Sequence, residues 1–407
     1  MLAFLHQLLQ IASMEKSIFT RDLHIPEKSF FLFGPRGVGK SHFLKKNMPE
    51  NAIQIDLLES ELYLTLSRNP GLLESICGNL PKNSWVWIDE VQKVSSLLDE
   101  VHRLIEKKGW RFALSGSSAR KLKRGGGNLL AGRALTRNME SFTSKELDSS
   151  FSLELALEFG TLPLVIKDPK YRIDTLSTYV NTYIKEEIKE EGLVRKAEPF
   201  LRFLEIAGIV NGEQINSLNI ARNAKIPRSN VDNYFSILED TLLGHWLPPY
   251  KIKAKVREQS HPKFYWFDAG VARASAGLLR EHPESIWLGK SLETLIFHEL
   301  RVYNHISSKE KPIYFYRSDG QSEIDFILEV KKGTTHSIPE IIAIEVKYSK
   351  KWDNRWEKPM RSLAESGKVK MKKMIGVYMG KEEYFFEGVE VVSIHTFLKS
   401  LHAGLIY

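Results

Sequence analysis

Residues 29–41 read SFFLFGPRGVGKS, and this stretch decides the fold of the amino-terminal part of the chain. An apolar run of strand length ends at Gly34, and a helix-compatible segment begins near Lys40. The residues between them match the pattern G-x-x-x-x-G-K-S, which joins a buried strand to a helix through a glycine-rich turn. We therefore predict a phosphate-binding loop with a parallel α/β sheet behind it.

Each residue type in this loop has a chemical reason. Gly34 and Gly39 permit the turn that aims backbone N–H groups at phosphate oxygens. The helix that follows adds the positive end of its dipole. Lys40 would place its ammonium group on the β- and γ-phosphates, and the Ser41 hydroxyl would ligate Mg²⁺, so we predict that the loop binds ATP with Mg²⁺. The residues expected to contact the nucleotide are Gly34, Pro35, Arg36, Gly37, Val38, Gly39, Lys40, Ser41 and His42.

A second apolar strand, WVWIDE at residues 85–90, ends in two carboxylates. It delivers Asp89 and Glu90 at its carboxyl end, which is where ligands of open α/β sheets bind. Asp89 is expected to hold Mg²⁺ directly or through water, and Glu90 to act as the general base on the attacking water. Such a pair also ends many ordinary strands, but its position after a phosphate loop favours the catalytic interpretation.

Two other features of this region are less specific. Strand RFALSGS is predicted to lie beside the first strand, and it would bring a serine (Ser115, Ser117 or Ser118) near the γ-phosphate or simply turn into a helix. Arg133 follows glycines 125–127 and could reach the γ-phosphate of a neighbouring subunit in a homo-oligomer. A structural ion pair is the alternative. Strand 134–141 would close this first domain, which we place at residues 1–145.

The middle of the chain is predicted to be helical. Residues 146–195 indicate a helical lid or linker, and 196–262 a winged-helix-like domain. Within it, 216–243 predict helix, turn and helix, with Pro227 at the first position of the second helix. A basic wing could follow at 245–256, and a packing module without DNA contact is the competing interpretation. The side chains that would project outward as in a recognition helix are Arg228, Ser229, Asn230 and Asn233.

Residues 263–407 return to a mixed α/β pattern and carry a second possible site. Glu293 lies on a predicted helix, Asp325 on a strand, and Glu345 and Lys347 on another strand, where alternation puts them on one face. This is the arrangement of PD-(D/E)XK nucleases: Asp325 and Glu345 would bind Mg²⁺, and Lys347 would activate water or stabilise the phosphate. A nuclease-like fold kept for binding or dimerisation is the alternative.

The composition sets outer limits on function. The 407 residues carry a formal net charge of +8, which permits DNA or RNA as a partner without requiring it. The single cysteine, Cys77, excludes a disulfide framework and fits a cytoplasmic protein. No apolar run approaches the roughly 20 residues that a membrane-spanning helix needs, so we expect no membrane partner. Residues 1–13 suit an amphipathic helix or an upstream extension.

Six segments follow one another as in a large prokaryotic family, which this chain resembles from about residue 15 onward. They are FLFGPRGVGKS, WVWIDEVQKV, LSGSSARKL, LLAGR, EFGTLP and YVNTYIKEEI. Members of that family join an AAA-type ATPase domain to a carboxy-terminal domain of unknown function. The resemblance implies ATP binding and hydrolysis. Thr161 is a local departure, because similar proteins usually carry a second glycine there.

Together these patterns predict an α/β chain with three parts. An AAA-type (ASCE) P-loop NTPase sheet is followed by a helical lid and winged-helix block, and then by a restriction-endonuclease-like α/β domain. The leading functional hypothesis is Mg²⁺-dependent ATP hydrolysis coupled to action on nucleic acid. An ATP-gated metal-dependent nuclease and a nucleotide-dependent scaffold are the alternatives.

Overall fold

A computed structural model describes most of the chain. The residues it describes are 19–117, 120, 122, 130, 132–190, 197–251, 261–318 and 322–407. Several features expected from the sequence lie outside these residues: the amino-terminal extension, Ser118, glycines 125–127 and residues 252–256 of the basic wing.

The amino-terminal unit is built on a parallel five-stranded sheet in the order β2-β3-β4-β1-β5. Strand β4 pairs with β1 and with β3, so the end of β3 and the loop after β1 lie at one edge of the sheet, with β4 between them. The prediction that RFALSGS lies beside the first strand is confirmed. The strands are β1 (Phe30–Phe33), β2 (Ile53–Asp56), β3 (Trp85–Asp89), β4 (Arg111–Gly116) and β5 (Leu135–Asn138).

Helices cover both faces of this sheet, as buried parallel strands require. Helix α4 shows the pattern: its buried residues Leu97, Leu98, Val101 and Leu104 form one apolar face, and Gly109 in the left-handed conformation ends it. The helices of this unit are α1 (Lys40–Asn47), α2 (Ser60–Arg68), α3 (Leu73–Cys77) and α4 (Leu97–Lys108).

The middle of the chain is helical, as predicted. Its helices are α5 (Ser144–Leu147), α6 (Leu153–Phe159), α7 (Pro163–Lys167), α8 (Arg172–Thr178), α9 (Lys185–Glu190), α10 (Ala197–Ile209), α11 (Ser217–Ala224) and α12 (Arg228–Asp240), with a π-helical turn at Tyr179–Ile184. Two antiparallel strands follow, β6 (Gly244–Leu247) and β7 (Lys263–Trp266). Because β7 pairs with β6, this hairpin crosses the domain boundary expected at residue 262.

Helix α12 buries one face and exposes the other. Val231, Tyr234, Phe235 and Leu238 are buried, as the periodicity predicts. Pro227 is the N-cap residue, one position earlier than expected. Of the four side chains expected to project outward, Arg228, Ser229 and Asn233 are exposed and Asn230 is half-buried.

The carboxy-terminal unit is a six-stranded mixed sheet in the order β12-β13-β11-β10-β9-β8. The antiparallel pairs β8–β9 and β9–β10 adjoin the parallel pairs β10–β11 and β11–β13. The strands are β8 (Ile313–Arg317), β9 (Glu323–Lys331), β10 (Glu340–Lys347), β11 (Lys370–Tyr378), β12 (Tyr384–Phe386) and β13 (Val389–Ser393). The helices are α13 (Ala269–Ser275), α14 (Ser285–Ile306), α15 (Lys358–Glu365) and α16 (Ile394–His402). Over the described ranges, none of the helices combines the length and the apolar character needed to cross a membrane.

Candidate functional site

Three glycines shape the predicted phosphate loop. A Cβ on Gly34 would lie 2.1 Å from the backbone oxygen of Met139, so the loop passes directly against the chain that leaves β5. Gly37 and Gly39 have φ of 85° and 93°, in the left-handed region that favours glycine. The ammonium group of Lys40 donates to the backbone oxygens of Gly34 at 2.7 Å and Pro35 at 3.1 Å. The lysine therefore lies across the loop whose phosphate it is predicted to bind.

The two groups predicted to hold Mg²⁺ are in contact. Ser41 Oγ donates to Asp89 Oδ2 at 2.5 Å, and Ser115 Oγ donates to Asp89 Oδ1 at 2.5 Å. Asp89 ends β3 and is buried. Hydroxyl and carboxylate oxygens are the hard ligands that Mg²⁺ prefers, so these residues fit the predicted ion.

Glu90 leaves β3 in an uncommon backbone conformation. Its φ of 56° and ψ of 41° place a non-glycine residue in the left-handed region, a form of strain that recurs at functional sites. Its carboxylate accepts a hydrogen bond from Gln92 Nε2. Glu90 and Lys40 line one cleft of about 320 Å³, a volume typical of small-molecule sites. The other residues lining that cleft are Arg36, Gly37, Gly39, Ser41, His42, Leu58, Gln92, Lys93, Ser117 and Leu164.

The helical region after β5 contacts the phosphate loop directly. Tyr179 OH donates to the Arg36 backbone oxygen at 2.8 Å, and the Arg36 guanidinium lies 4.7 Å from the ring centroid of Tyr183. A Cβ on Gly37 would lie 2.6 Å from Leu164 Cδ1. The predicted lid therefore packs on the loop that it is expected to cover.

Helix α12 also reaches the site, through its carboxyl end. Asp240 forms an ion pair at 2.6 Å with Arg120, which comes after β4 in the chain. Thr241 and Leu243 line a small cavity together with Pro35 and Ser117. The end of the expected recognition helix and the nucleotide cleft therefore share packing contacts.

Arg133 lies away from the cleft of its own chain. It precedes β5, which runs parallel to β1, so it sits at the amino edge of the sheet while the phosphate loop sits at the carboxyl edge. Its guanidinium forms an ion pair with Glu106. A catalytic contribution from Arg133 therefore requires a neighbouring subunit and stays a prediction.

The four residues of the expected carboxy-terminal site lie close together, with Asp325, Glu345 and Lys347 on the six-stranded sheet and Glu293 on α14. Lys347 Nζ lies 2.5 Å from Glu345 Oε1 and 3.5 Å from Asp325 Oδ2. Asp325 Oδ2 also accepts a hydrogen bond from the Val346 backbone N–H at 2.8 Å. Glu293, on α14, faces the same cluster. Among the described residues, however, no three or more His, Cys, Asp or Glu side chains form a group that could hold a metal ion.

Three further residues of this cluster were not predicted from the sequence: Lys263, Tyr265 and Glu323. Lys263 Nζ lies 2.5 Å from Glu323 Oε1 and 3.9 Å from Glu293 Oε2. Tyr265 OH donates to Glu293 Oε2 at 2.9 Å. Alternation along β7 would have put Lys263 and Tyr265 on one face. No local signal, however, says that this face meets α14.

Burial and like charge perturb the carboxylates of this cluster. Burial, reinforced by the charge of Asp325, raises the pKa of Glu293 to about 7. Burial and Asp325 also raise the pKa of Glu345 well above its ordinary value. Burial alone would lower the pKa of Lys347, but Asp325 and Glu345 outweigh it and raise that pKa. Glu345 Oε2 is buried without a hydrogen-bond partner in the described structure. The cluster thus holds an acceptor that a cation could satisfy.

Comparison with known proteins identifies the first unit. Residues 26–147 match a family model described as an AAA domain. Residues 151–282 and 288–397 match two domains of unknown function, DUF8612 and DUF4143. The predicted AAA-type ATPase module and the carboxy-terminal domain of unknown function are confirmed. These matches bear out neither a winged helix nor a nuclease.

Individual relatives are distant. An uncharacterized protein of Haemophilus influenzae is 23% identical over 288 residues, covering 65% of this chain and 70% of the relative. The Aeropyrum pernix ORC1 protein, solved in complex with DNA, is 12% identical with a TM-score of 0.24, over 67% of this chain and 92% of that one. A Thermotoga maritima DNA polymerase III gamma subunit-related protein is 12% identical with a TM-score of 0.20, over 57% and 91% of the two chains. TM-scores this low do not define a shared overall fold. The family-model matches thus give the chain an AAA-type domain followed by two regions of unknown function.

Proposed function

We propose that this protein binds Mg-ATP, hydrolyses it, and uses the nucleotide state to act on nucleic acid through its middle and carboxy-terminal regions. One observation carries the proposal. The loop lysine, the Ser41–Asp89 pair and the Glu90 carboxylate lie together at the carboxyl edge of one parallel sheet. These are the groups that phosphoryl transfer needs, because its catalysis consists mainly of positioning and charge stabilisation.

Each group has a separate task in this proposal. The loop N–H groups and Lys40 compensate the charge of the β- and γ-phosphates. Ser41 and Asp89 hold Mg²⁺, which when bound neutralises charge on the phosphate oxygens. Glu90 accepts a proton from the attacking water. ATP is thus both ligand and substrate.

The connection to nucleic acid is proposed from helices α11 and α12. Arg222, Lys225, Arg228 and Asn233 are exposed on these helices, and arginine, lysine and asparagine are the residues that contact phosphates and base edges. Just beyond the carboxyl end of α12, Thr241 lines a small cavity together with Pro35 of the phosphate loop. A change in the cleft would therefore reach the exposed face of α12 through a helix rather than through a loop.

Replacing Lys40 by Ala is expected to weaken Mg-ATP binding at least tenfold, because the loop loses its only side-chain ammonium group and tenfold corresponds to about 1.4 kcal/mol. Titration calorimetry and thermal unfolding with Mg-ATP measure the change. At about 100 times the Kd, a ligand stabilises the folded state by roughly 2.7 kcal/mol. Lys45→Ala, on an exposed position of the same helix, is the matched control.

Two results would contradict this proposal. One is a wild-type protein that gives neither heat nor thermal protection with saturating Mg-ATP. The other is a Lys40→Ala protein that hydrolyses ATP at the wild-type rate.

The orphaned Glu345 oxygen supports a second candidate function, a metal-dependent nuclease whose metal Asp325 and Glu345 would hold. A divalent ion competes with protons for these carboxylates. Since the pKa of Glu293 is raised to about 7, the cluster gains negative charge as pH rises through 7. We therefore expect Mn²⁺ alone to stabilise the folded protein more strongly at about pH 8 than at about pH 6.

The measurement of stabilisation by Mn²⁺ is combined with cleavage assays on DNA and RNA. These assays contain Mg²⁺ or Mn²⁺ and are run with and without ATP. Lys347→Ala should abolish any cleavage, and Lys350→Ala, a nearby residue outside the cluster, should not. Cleavage that survives Lys347→Ala would contradict the nuclease. If Mn²⁺ stabilises the protein equally at both pH values and no cleavage is seen, a nucleotide-dependent scaffold would be favoured.

A further inference from the structure

Gln92 occupies a position between the general base and the end of β4. It lies in the short 3₁₀ turn Val91–Val94 and is 8% exposed. Its Nε2 donates to Glu90 Oε2 and to Ser117 Oγ, the latter at 3.3 Å. One buried amide therefore connects the carboxylate that would activate water to a hydroxyl that lines the same cleft.

The chemistry of its partner fixes the orientation of the Gln92 amide. An ionised carboxylate only accepts hydrogen bonds, so the amide atom that faces Glu90 must be the NH₂ group. The carbonyl Oε1 then faces away from Glu90. It is buried and has no hydrogen-bond partner among the residues that the structure describes.

The Gln92 amide packs against the backbone of β4 at Gly116. A Cβ on Gly116 would lie 2.3 Å from Gln92 Oε1, so the amide oxygen lies directly against the backbone of β4. The Nε2 group is therefore the side of the amide that contacts the cleft residues Glu90 and Ser117.

We infer that Gln92 is a positioning residue for ATP hydrolysis, which holds the Glu90 carboxylate in place through Nε2 while its own amide is supported by β4. In the step it serves, a bond forms between the water oxygen and the γ-phosphorus, and the bond from that phosphorus to the β-phosphate bridging oxygen breaks. Glu90 receives the water proton, and Gln92 neither gains nor loses one. The inference rests on the proposed hydrolysis of ATP.

The test begins with Gln92→Ala. We expect its kcat for ATP hydrolysis to fall about 100-fold, at the lower end of the range for general-base catalysis. Its Kd for Mg-ATP, measured by calorimetry, should stay within about threefold of the wild-type value, because positioning acts on the transition state. A merely structural role would change affinity and rate together.

A second readout needs no nucleotide. Gln92→Glu places two carboxylates in contact and should lower the denaturant midpoint of the nucleotide-free protein, since like charges in a buried site repel. The double variant Glu90→Gln with Gln92→Glu restores an amide–carboxylate pair with the roles exchanged. It should recover the midpoint but remain inactive, because the carboxylate has moved. Gln54→Glu, at an exposed position of β2, is the control for the substitution itself.

Two outcomes would overturn the inference. The first is a Gln92→Ala protein with wild-type kcat, in a preparation whose wild type hydrolyses ATP. The second is a Gln92→Glu protein as stable as Gln54→Glu, which would show that Gln92 does not hold Glu90. A wild-type protein that binds Mg-ATP without hydrolysing it refutes the proposed function instead, and the nucleotide-free measurement then still decides whether this contact exists.

Discussion

Replacing Glu90 by Gln is expected to lower kcat for ATP hydrolysis about 1,000-fold, within the range that general-base catalysis contributes, while Mg-ATP still binds. The substitution keeps the shape of the side chain and removes the oxygen that would take the proton. The residues that would bind the phosphates and Mg²⁺, Lys40, Ser41 and Asp89, are unchanged. The loss should therefore appear in kcat and not in the Kd measured by calorimetry.

Glu61→Gln is the matched control, because Glu61 is exposed on α2 and does not line the cleft. It should hydrolyse ATP at the wild-type rate. If Glu90→Gln weakened Mg-ATP binding as much as it lowered kcat, Glu90 would be part of the binding surface rather than the base. If it left kcat unchanged, another group would activate the water.

The phosphate loop and its strand neighbours could be predicted because their signals are local. Within eight positions, residues 34–41 contain the glycine-rich turn, the start of the helix and the positive charge of Lys40. The apolar run before Asp89 directly predicts a buried strand. The carboxyl ends of parallel strands meet at one edge of the sheet, so the contact between Ser41 and Asp89 follows from topology. The pairing of β4 with β3 then adds Ser115 to the same carboxylate.

The role of Gln92 could not be predicted from its spacing. Gln92 lies two positions after Glu90 and beyond the end of β3, and side chains two positions apart do not face each other in a helix. The left-handed conformation of Glu90 sets the direction of the turn, and a sequence pattern does not encode it.

Lys263 and Tyr265 were missed for a different reason. Their contacts with Glu293 join β7 to α14, so they depend on how two units pack rather than on periodicity. The convergence of Asp325, Glu345 and Lys347, by contrast, follows from neighbouring strands of one sheet and was predicted.

Replacing Arg301 by Ala is expected to destabilise the protein by roughly 3–5 kcal/mol, the usual cost of leaving one member of a buried ion pair without its partner. Arg301 donates to both carboxylate oxygens of Glu140, at 2.9 and 2.8 Å, and Glu140 is buried. Burial alone would raise the pKa of Glu140, but Arg301, His245 and His298 outweigh it and hold that pKa well below its ordinary value. Chemical denaturation followed by fluorescence measures the loss.

A second bidentate arginine on the surface provides the control. Arg355 donates to Asp353 Oδ1 through Nε and to Oδ2 through its terminal nitrogen, but its side chain is 89% exposed, so Arg355→Ala should leave the denaturant midpoint unchanged. Arg301→Lys keeps the positive charge but loses the bidentate geometry of the guanidinium group. Its denaturant midpoint should therefore lie between those of the wild type and Arg301→Ala. Equal midpoints for Arg301→Ala and Arg355→Ala would show that Glu140 does not depend on Arg301.

The position of Glu140 extends this prediction to nucleotide binding. Glu140 follows Met139, whose backbone oxygen presses on Gly34 of the phosphate loop, and Arg21 donates to the backbone oxygens of both Glu140 and Val38. Without Arg301, the buried Glu140 carboxylate requires water to compensate its charge. The backbone at Glu140 should therefore shift, and the phosphate loop should shift with it. We therefore expect Arg301→Ala, in the fraction that remains folded, to bind Mg-ATP several-fold more weakly than wild type. Unchanged affinity in a destabilised variant would mean that helix α14 supports the fold of the ATPase module without shaping its nucleotide loop.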